Sequence, residues 1–385
     1  MVQPAASSAP FPAGIVFIAD PAAAGRRIAG VTAIGRIVRE IAVAGITDIH
    51  LVTPKGAELV PEAREDFARL APDATVNLAG APPESADAIG FASDYLVPAE
   101  EIARFAKGKA RELCWHDEPV AWRLTGEGRV AAADALPFDH RIGGELLRRT
   151  VKSGDGLVSR WINRRISRPI SAFLLQFPAI RPLHATIGTA LIGVAMVIAL
   201  LTGSYTGMVW GAILFQFASI FDGVDGEIAR VTFRSSTTGA SLDSGIDQAT
   251  NILFIVGLTY SLTMQGTHVA LYLGVWSLSA MSLGLWLIGR RTVKTGKPLG
   301  FDLVKHKMRE GNFGRVVKPV IAFFTFLTAR DGFAFLFALL VASGLALVAL
   351  SIFASVALVW IVTVIVTVVP RPSLAKPAEE AASVR

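Results

Sequence analysis

Residues 219–248 read SIFDGVDGEIARVTFRSSTTGASLDSGIDQ and place four aspartates between strongly apolar segments. The four are Asp222, Asp225, Asp243 and Asp247. Spacings of three and four residues put each pair on one face of a helix, so two antiparallel neighbouring helices would present all four carboxylates to one another. An ionised acid inside a membrane span costs on the order of 3 kcal/mol, and four of them require a neutralising cation. The stretch therefore predicts a cation site between two helices.

The residue types around the aspartates indicate which cation is bound. An oxygen-rich cluster without His or Cys nearby suits Mg²⁺, Mn²⁺ or Ca²⁺ rather than zinc. The alternative interpretation is that the acids cap helices or lie in water. It suits Asp243, because an acid in the first turn of a helix is favourable, but it does not account for the other three.

The composition places this site in a membrane protein. The chain has 385 residues, of which 52% are hydrophobic and 18% are charged, whereas about a quarter of an ordinary soluble chain is charged. From about residue 184 onward the apolar runs approach the length of about 20 residues that crosses a bilayer core. We expect no signal peptide, and the single cysteine, Cys114, excludes an intrachain disulfide framework.

Six transmembrane spans are predicted, at residues 184–203, 206–230, 241–264, 267–290, 331–347 and 349–369. Arg and Lys concentrate before the first span and between the fourth and fifth, whereas residues 202–207 and 264–268 contain neither. This alternation follows the positive-inside rule, so we expect an integral protein of the cytoplasmic membrane with both termini and the acidic site on the cytoplasmic side. Basic surface beside a membrane indicates lipid contact, and we expect no nucleic acid partner. The basic segment 290–318 either binds a phosphorylated acceptor or is ordinary cytoplasmic surface.

The predicted fold class is an α-helical polytopic membrane domain, residues 184–370, preceded by a small soluble α/β domain, residues 1–140. Between them, residues 141–183 form a linker, and residues 371–385 are expected to be a disordered tail. The linker includes a cationic amphipathic helix at 156–177, which we expect to lie in the membrane interface. Its alternative place is against the soluble domain.

The order of elements in the soluble domain predicts a parallel sheet. A strand at 14–19, a helix at 32–45 and a strand at 48–53 form a right-handed strand–helix–strand unit. A second, weaker unit begins with a strand at 93–98 and continues into a helix at 99–110.

Residues that follow the first aspartate pair indicate a phosphate ligand. Gly223 and Gly226 lie beside the acids, where a missing side chain lets a ligand approach the backbone. Arg230, one turn after Gly226, offers a fork of donors suited to phosphate. Hydroxyl groups follow in the connecting loop, among them that of Ser236. Together with paired metal ions, these groups describe a pyrophosphate site.

The spacing of these residues resembles the signature of the CDP-alcohol phosphotransferases, which runs here from Asp222 through Gly226 and Arg230 to Gly239, Asp243 and Asp247. The resemblance covers residues 155–370 and implies six helices around a cavity open to the cytoplasm. It implies that Asp222, Asp225 and Asp243 hold two metal ions, Mg²⁺ or Mn²⁺, and that Asp247 completes the site and acts as the general base. It further implies that Gly226, Arg230, Ser236 and Gly239 contact the CDP group.

Two other segments bear on this resemblance. Members of the family commonly carry a Pro-Asn element at the start of the first span, and here that element reads Pro182-Leu-His-Ala-Thr186. The soluble domain is similar to sugar nucleotidyltransferases, but residues 19–30, ADPAAAGRRIAG, lack the glycine-rich phosphate loop, so we expect a degenerate, inactive copy. The combination resembles archaeal fusions of an inositol-phosphate cytidylyltransferase with a di-inositol-phosphate-phosphate synthase.

The resulting hypothesis is a membrane phosphotransferase that uses a CDP-alcohol, of the CDP-diacylglycerol or CDP-inositol type, and an acceptor hydroxyl. We expect membrane lipids as further partners and a homodimer as one possible assembly. Two alternatives remain open at this stage, a divalent-cation transporter and a catalytically inactive membrane scaffold.

Overall fold

The computed structural model describes residues 13–54, 57–83, 88–123, 125–151, 156–295, 326 and 330–368. The chain divides into two compact units that are interleaved in sequence. The first contains Met1–Val151, Arg168–Pro182 and Gly226–Ser235, and the second contains Lys152–Ser167, Leu183–Asp225 and Ser236–Arg385. The predicted tail, 371–385, and the greater part of the basic segment 290–318 lie outside the described residues.

The N-terminal elements alternate between strands and helices. In chain order they are β1 (Ala13–Phe17), α1 (Pro21–Gly25), β2 (Arg27–Ile28), β3 (Val31–Thr32), α2 (Ala33–Val43), β4 (Asp48–Val52), α3 (Pro61–Leu70), β5 (Thr75–Ala79), β6 (Ala88–Ala92), β7 (Tyr95–Leu96), α4 (Ala99–Lys107), β8 (Glu112–Trp115), β9 (Glu118–Arg123), β10 (Arg129–Ala131), β11 (Leu136–Pro137) and α5 (Ile142–Arg149).

A seven-stranded sheet with the order β10-β8-β9-β6-β1-β4-β5 forms the centre of this region. Strand β1 pairs in parallel with both β4 and β6, so the predicted unit β1–α2–β4 is confirmed. Strand β9 runs antiparallel to both of its neighbours, β6 and β8. The predicted soluble α/β region is therefore present.

The second predicted unit is only partly correct. Helix α4 forms where it was expected, but the strand before it contains only Tyr95 and Leu96 and pairs antiparallel with β11, outside the large sheet. Asp94 and Pro98 flank these two residues. A proline has no amide hydrogen to donate to a neighbouring strand, which limits the length of this one.

Helix α2 illustrates how the sequence specifies this core. Thr32 caps the helix, because its side-chain oxygen accepts a hydrogen bond from the amide of Gly35 at 3.2 Å. Ile34, Val38 and Ile41 recur at helical spacing and are completely buried against the sheet.

The remaining helices are α6 (Arg164–Leu174), α7 (Pro182–Leu201), α8 (Tyr205–Val231), α9 (Thr237–Met264), α10 (Val269–Thr295), α11 (Arg330–Ala342) and α12 (Ala346–Val368). Four segments are long and apolar enough to cross a membrane: α7, α8, residues Val269–Arg290 of α10 and Ala346–Val366 of α12. Helices also occupy the third and fifth predicted spans. However, α9 carries polar residues along its first half, and α11 contains 13 residues.

Aromatic side chains form the centre of the helical unit. The rings of Phe215 on α8 and Phe254 on α9 stack with 4.1 Å between their centroids. Phe333 and Phe337 of α11 pack against these rings. Gly344 has a φ of +78° in the turn between α11 and α12, so α11 ends a few residues before the predicted end of span five at residue 347.

The predicted amphipathic helix is present and has an unusual burial pattern. It begins with a π-helical turn, Ser159–Asn163, and continues as α6. Its polar residues Asn163 and Ser167 are buried, whereas Trp161 and Phe173 are 60% and 57% exposed. An exposed apolar face on a cationic helix is typical of a helix that lies in the membrane interface.

Candidate functional site

An acidic cluster forms where α8 and α9 meet. Asp222 comes from α8, and Asp243 and Asp247 come from successive turns of α9. One carboxylate oxygen from each lies within 4.8 Å of the others, close enough for a single cation to contact all three. All three residues are half-buried. The structure thus brings together three of the four aspartates that the sequence singles out.

The fourth aspartate, Asp225, lies beside Asp243 and has a partner of its own. It is 7% exposed, and its Oδ2 accepts a hydrogen bond of 2.8 Å from Oγ1 of Thr186. Thr186 is on α7 and is itself 5% exposed. Because the hydroxyl donates to one carboxylate oxygen, it fixes the direction in which Asp225 presents the other.

Arg330, the first residue of α11, enters the acidic cluster. Its Nη1 lies 3.3 Å from Oδ1 of Asp222 and also donates to Oδ1 of Asp247. The other side of the guanidinium, Nε and Nη2, is buried without a hydrogen-bond partner among the described residues. Sequence reasoning missed Arg330, and the only signal was a basic residue at the edge of the fifth predicted span.

A second arginine, Arg164 at the start of α6, contacts α8. Helix α8 carries the first part of the family signature and is hereafter called the signature helix. Nη1 of Arg164 donates to the carbonyl oxygen of Gly223 at 3.1 Å, and Arg164 is 6% exposed. A Cβ atom at Gly223 would lie 3.1 Å from this nitrogen, so the glycine permits the close approach. Arg164 therefore covers the backbone at Gly223, where the sequence predicts that a ligand approaches.

Gly226 and Arg230 follow on α8, in the part of the helix that belongs to the first unit. A Cβ atom at Gly226 would lie 2.9 Å from Nη1 of Arg230. The guanidinium therefore folds back along the helix by one turn and covers the glycine. This conformation places the predicted phosphate-binding side chain on the same face as Gly226.

Ser236 and Gly239 are joined by a hydrogen bond at the start of α9. Ser236 caps α9, because its Oγ accepts a hydrogen bond of 3.0 Å from the amide of Gly239. A Cβ atom at Gly239 would lie 2.9 Å from that oxygen. Both residues are exposed, and the glycine keeps the cap unobstructed. The nucleotide contact predicted for them stays a prediction.

Several arginines lie near the end of α8 in the first unit. Burial lowers the pKa of Arg234, and the nearby positive charges of Arg69, Arg181 and Arg27 lower it further. Asp66 is the acidic group that opposes this effect. Arginines close enough to influence one another in this way form a positive region, which favours anions.

The first unit also contains a cleft of about 320 Å³ at the carboxyl ends of β1 and β6. The strand order reverses between these two strands, and such crevices are the usual ligand sites of open α/β sheets. Its charged lining residues are Asp20, Asp94, Asp139 and the single basic residue Arg26. A mostly acidic lining is poorly suited to a triphosphate.

The acidic cluster fits a divalent cation such as Mg²⁺ or Mn²⁺. Its donors are all carboxylate oxygens, and neither His nor Cys is part of it. In addition, Oδ1 of Asp222 is buried and accepts no hydrogen bond among the described residues, although it forms an ion pair with Nη1 of Arg330 at 3.3 Å. A buried carboxylate oxygen in this state is a ready cation ligand.

Comparison with known proteins identifies the class. Residues 181–368 match the model of the CDP-alcohol phosphatidyltransferase family, which confirms the resemblance drawn from the signature. This part of the chain is similar to CDP-alcohol phosphatidyltransferase domains. The family is that of transferases acting on CDP-alcohols, and its members generally use a divalent metal.

The chain is also similar to proteins named bifunctional IPC transferase and DIPP synthase. That of Rubrobacter xylanophilus is 37% identical over 196 residues, which is 48% of this chain and 43% of the relative. Those of Archaeoglobus fulgidus and Thermococcus kodakarensis are 37% and 38% identical over 122 and 117 residues, about a third of this chain. The matches span about a quarter of the length of these two archaeal relatives.

Proposed function

We propose that this chain is a membrane transferase that moves a phospho-alcohol group from a CDP-alcohol to an acceptor hydroxyl and releases CMP. The observation that carries the proposal is the meeting of Asp222, Asp243 and Asp247, with carboxylate oxygens within 4.8 Å of one another, on the two helices of the family signature. The matched family and the names of the similar proteins support the same reaction class.

The proposed setting is the cytoplasmic membrane, with six spans and with both termini and the site on the cytoplasmic side. Four helices have the length and apolar composition of spans, and we assign the other two spans to α9 and α11, which occupy the third and fifth predicted positions. The exposed apolar face of the amphipathic helix that contains α6 supports its place at the lipid interface.

The metal ligands in this proposal are Asp222, Asp225, Asp243 and Asp247, which together hold two ions. Thr186 orients Asp225 through its hydrogen bond of 2.8 Å. Such ions, when bound, supply positive charge to the pyrophosphate and to the leaving CMP. Arg330 contributes positive charge from the protein itself at Asp222 and Asp247.

In the proposed reaction, Asp247 accepts the proton of the acceptor hydroxyl. The acceptor oxygen then attacks the phosphorus that carries the alcohol. The bond between this phosphorus and the bridging oxygen breaks, and CMP leaves with the bonding electron pair. The product is a phosphodiester, and Gly226 and Arg230, with Ser236 and Gly239 further along, hold the CDP part of the substrate.

The proposed donor is a CDP-alcohol of the CDP-inositol type, with CDP-diacylglycerol as the alternative donor. The names of the similar proteins favour the first choice. The soluble α/β region is proposed to be inactive as a nucleotidyltransferase, and the acidic lining of its cleft supports this assignment.

A panel assay tests the proposed function. The purified full-length protein is incubated in lipid nanodiscs with several CDP-alcohols and hydroxyl acceptors, with Mg²⁺ or with a chelator, and CMP is measured. We expect metal-dependent CMP release with at least one pair. Metal uptake into liposomes without CMP release would instead identify a divalent-cation transporter, and neither activity would identify an inactive scaffold.

A further inference from the structure

The end of the signature helix is held by arginines of the α/β region, within the first unit. Nη2 of Arg36 donates to the carbonyl oxygen of Val231 at 2.9 Å, and Nη1 of Arg69 donates to that of Thr232 at 2.8 Å. The last carbonyl groups of a helix have no partner within the helix. Positive charge is also favourable at this end of the helix dipole.

Arg36 is buried, and hydrogen bonds to backbone carbonyl oxygens hold its guanidinium in place. It is 1% exposed, and burial lowers its pKa to about 10. Besides Val231, its guanidinium donates to the carbonyl oxygens of Ile28 and Ala29. An arginine buried this completely, with these hydrogen bonds to backbone carbonyl oxygens in the described part of the chain, has its position strictly defined.

The loop that carries Ile28 and Ala29 is a tight hairpin formed by β2 and β3. Its tip, Ala29-Gly30, has φ values of +45° and +80°. A Cβ atom at Gly30 would lie 2.8 Å from Thr232 and 2.9 Å from Leu175, so the tip packs directly against the residues after α8. The sequence places this hairpin where a nucleotidyltransferase-like domain would need a phosphate loop.

Phe233 adds a further contact between the end of α8 and the α/β region, and this contact holds a residue whose backbone is strained. The amides of Phe233 and Arg234 donate to Arg230 and Ala229, a pattern that ends helices with a left-handed residue, usually glycine. Phe233 occupies that position with a φ of +57°. A large side chain is strained there, and its ring is held beneath the guanidinium of Arg39, 3.9 Å from the ring centroid.

We propose that the α/β region serves as a cap that positions the end of the signature helix, with Arg36, Arg69 and Arg39 as positioning residues. The cap fixes Val231 and Thr232, and therefore fixes the last turn that carries Arg230. The inference rests on the proposed function for the role of Arg230, whereas the cap itself rests on the contacts alone. Under this proposal, the α/β region contributes to the phosphotransferase site by holding the end of α8, without catalytic activity of its own.

The test uses full-length protein with Arg69→Ala and Arg39→Ala, and with Arg64→Ala as the matched control, because Arg64 lies on α3 like Arg69 but is exposed. Hydrogen exchange is measured at residues 228–236. We expect exchange about tenfold faster in Arg69→Ala, the effect of losing one hydrogen bond, several-fold faster in Arg39→Ala, the effect of losing the cation–π contact with Phe233, and no change in the control. Arg69→Lys should restore part of the protection.

Binding of CDP in the presence of Mg²⁺ separates the cap from a general effect on folding. We expect the Kd for CDP to rise several-fold in Arg69→Ala, with Mn²⁺ binding unchanged because the acidic cluster lies in earlier turns and on α9. Unchanged exchange in both variants overturns the cap. Faster exchange with unchanged CDP affinity overturns the positioning role. A wild-type protein that releases no CMP with any donor contradicts the proposed function instead, and the exchange and CDP measurements still decide this inference.

Discussion

Oγ1 of Thr186 donates a hydrogen bond of 2.8 Å to Oδ2 of Asp225, which joins α7 to the signature helix α8. Both residues are buried. The bond engages one carboxylate oxygen of Asp225, which lies beside Asp243, so a residue outside the signature orients one of the proposed metal ligands.

The first prediction concerns this bond. Thr186→Val keeps the shape of the side chain but removes the donor, which costs about 1 kcal/mol or more and leaves a buried carboxylate oxygen without its partner. We expect CMP release and Mn²⁺ affinity each to fall roughly tenfold. Calorimetry and a CMP assay on the same preparation measure both. Thr186→Ser keeps the hydroxyl and should behave like the wild type, and an equally impaired serine variant would contradict the proposed role of the bond.

The second prediction separates the roles of the aspartates. Asp243→Ala removes a ligand, so both Mn²⁺ and CDP-alcohol binding should weaken. Asp247→Asn keeps the volume but cannot accept a proton, so it should bind CDP-alcohol appreciably while turnover falls by roughly 10² or more. Binding is measured by calorimetry and turnover by CMP release. Normal turnover in Asp247→Asn would show that another group accepts the proton.

The third prediction concerns Arg330, whose Nη1 is 3.3 Å from Asp222. Without metal, Arg330 is the positive group that balances the acidic cluster, so Arg330→Met should lower the melting temperature of the metal-free protein. Added Mg²⁺ should then stabilise this variant more than the wild type, because the ion replaces the lost charge. Melting curves in nanodiscs with and without Mg²⁺ measure the effect.

The control for Arg330 is Arg290→Met. Arg290 is an exposed arginine near the end of α10 whose guanidinium lies over the ring of Trp286. Its removal should leave the response to Mg²⁺ unchanged. Equal responses in both variants would mean that Arg330 does not act through the acidic cluster.

The fourth prediction concerns the cleft of the α/β region. Because Asp20, Asp94 and Asp139 line it with only Arg26 as a basic partner, we expect no pyrophosphate release from CTP with any sugar or inositol phosphate. A coupled pyrophosphate assay on the full-length protein measures this. Pyrophosphate formation above a no-enzyme control would show that the domain is active.

The sequence by itself determined the main features of this protein. Apolar runs of membrane length predicted the helices, and strand–helix–strand order predicted the parallel sheet around β1. Both rest on local periodicity, which a single sequence displays directly. The spacing within each aspartate pair predicted that all four carboxylates would meet, because helical geometry fixes which residues share a face, and the structure groups Asp222, Asp243 and Asp247.

The tertiary structure determined the contacts between residues that are far apart in the sequence, which local periodicity does not predict. Thr186 is 39 residues from Asp225, and Arg330 is 83 residues from Asp247, so no spacing rule relates them. The same holds for Arg36 and Val231, which are 195 residues apart. These contacts depend on how helices and loops pack, and the role of each polar side chain is known only when its distant partner is known.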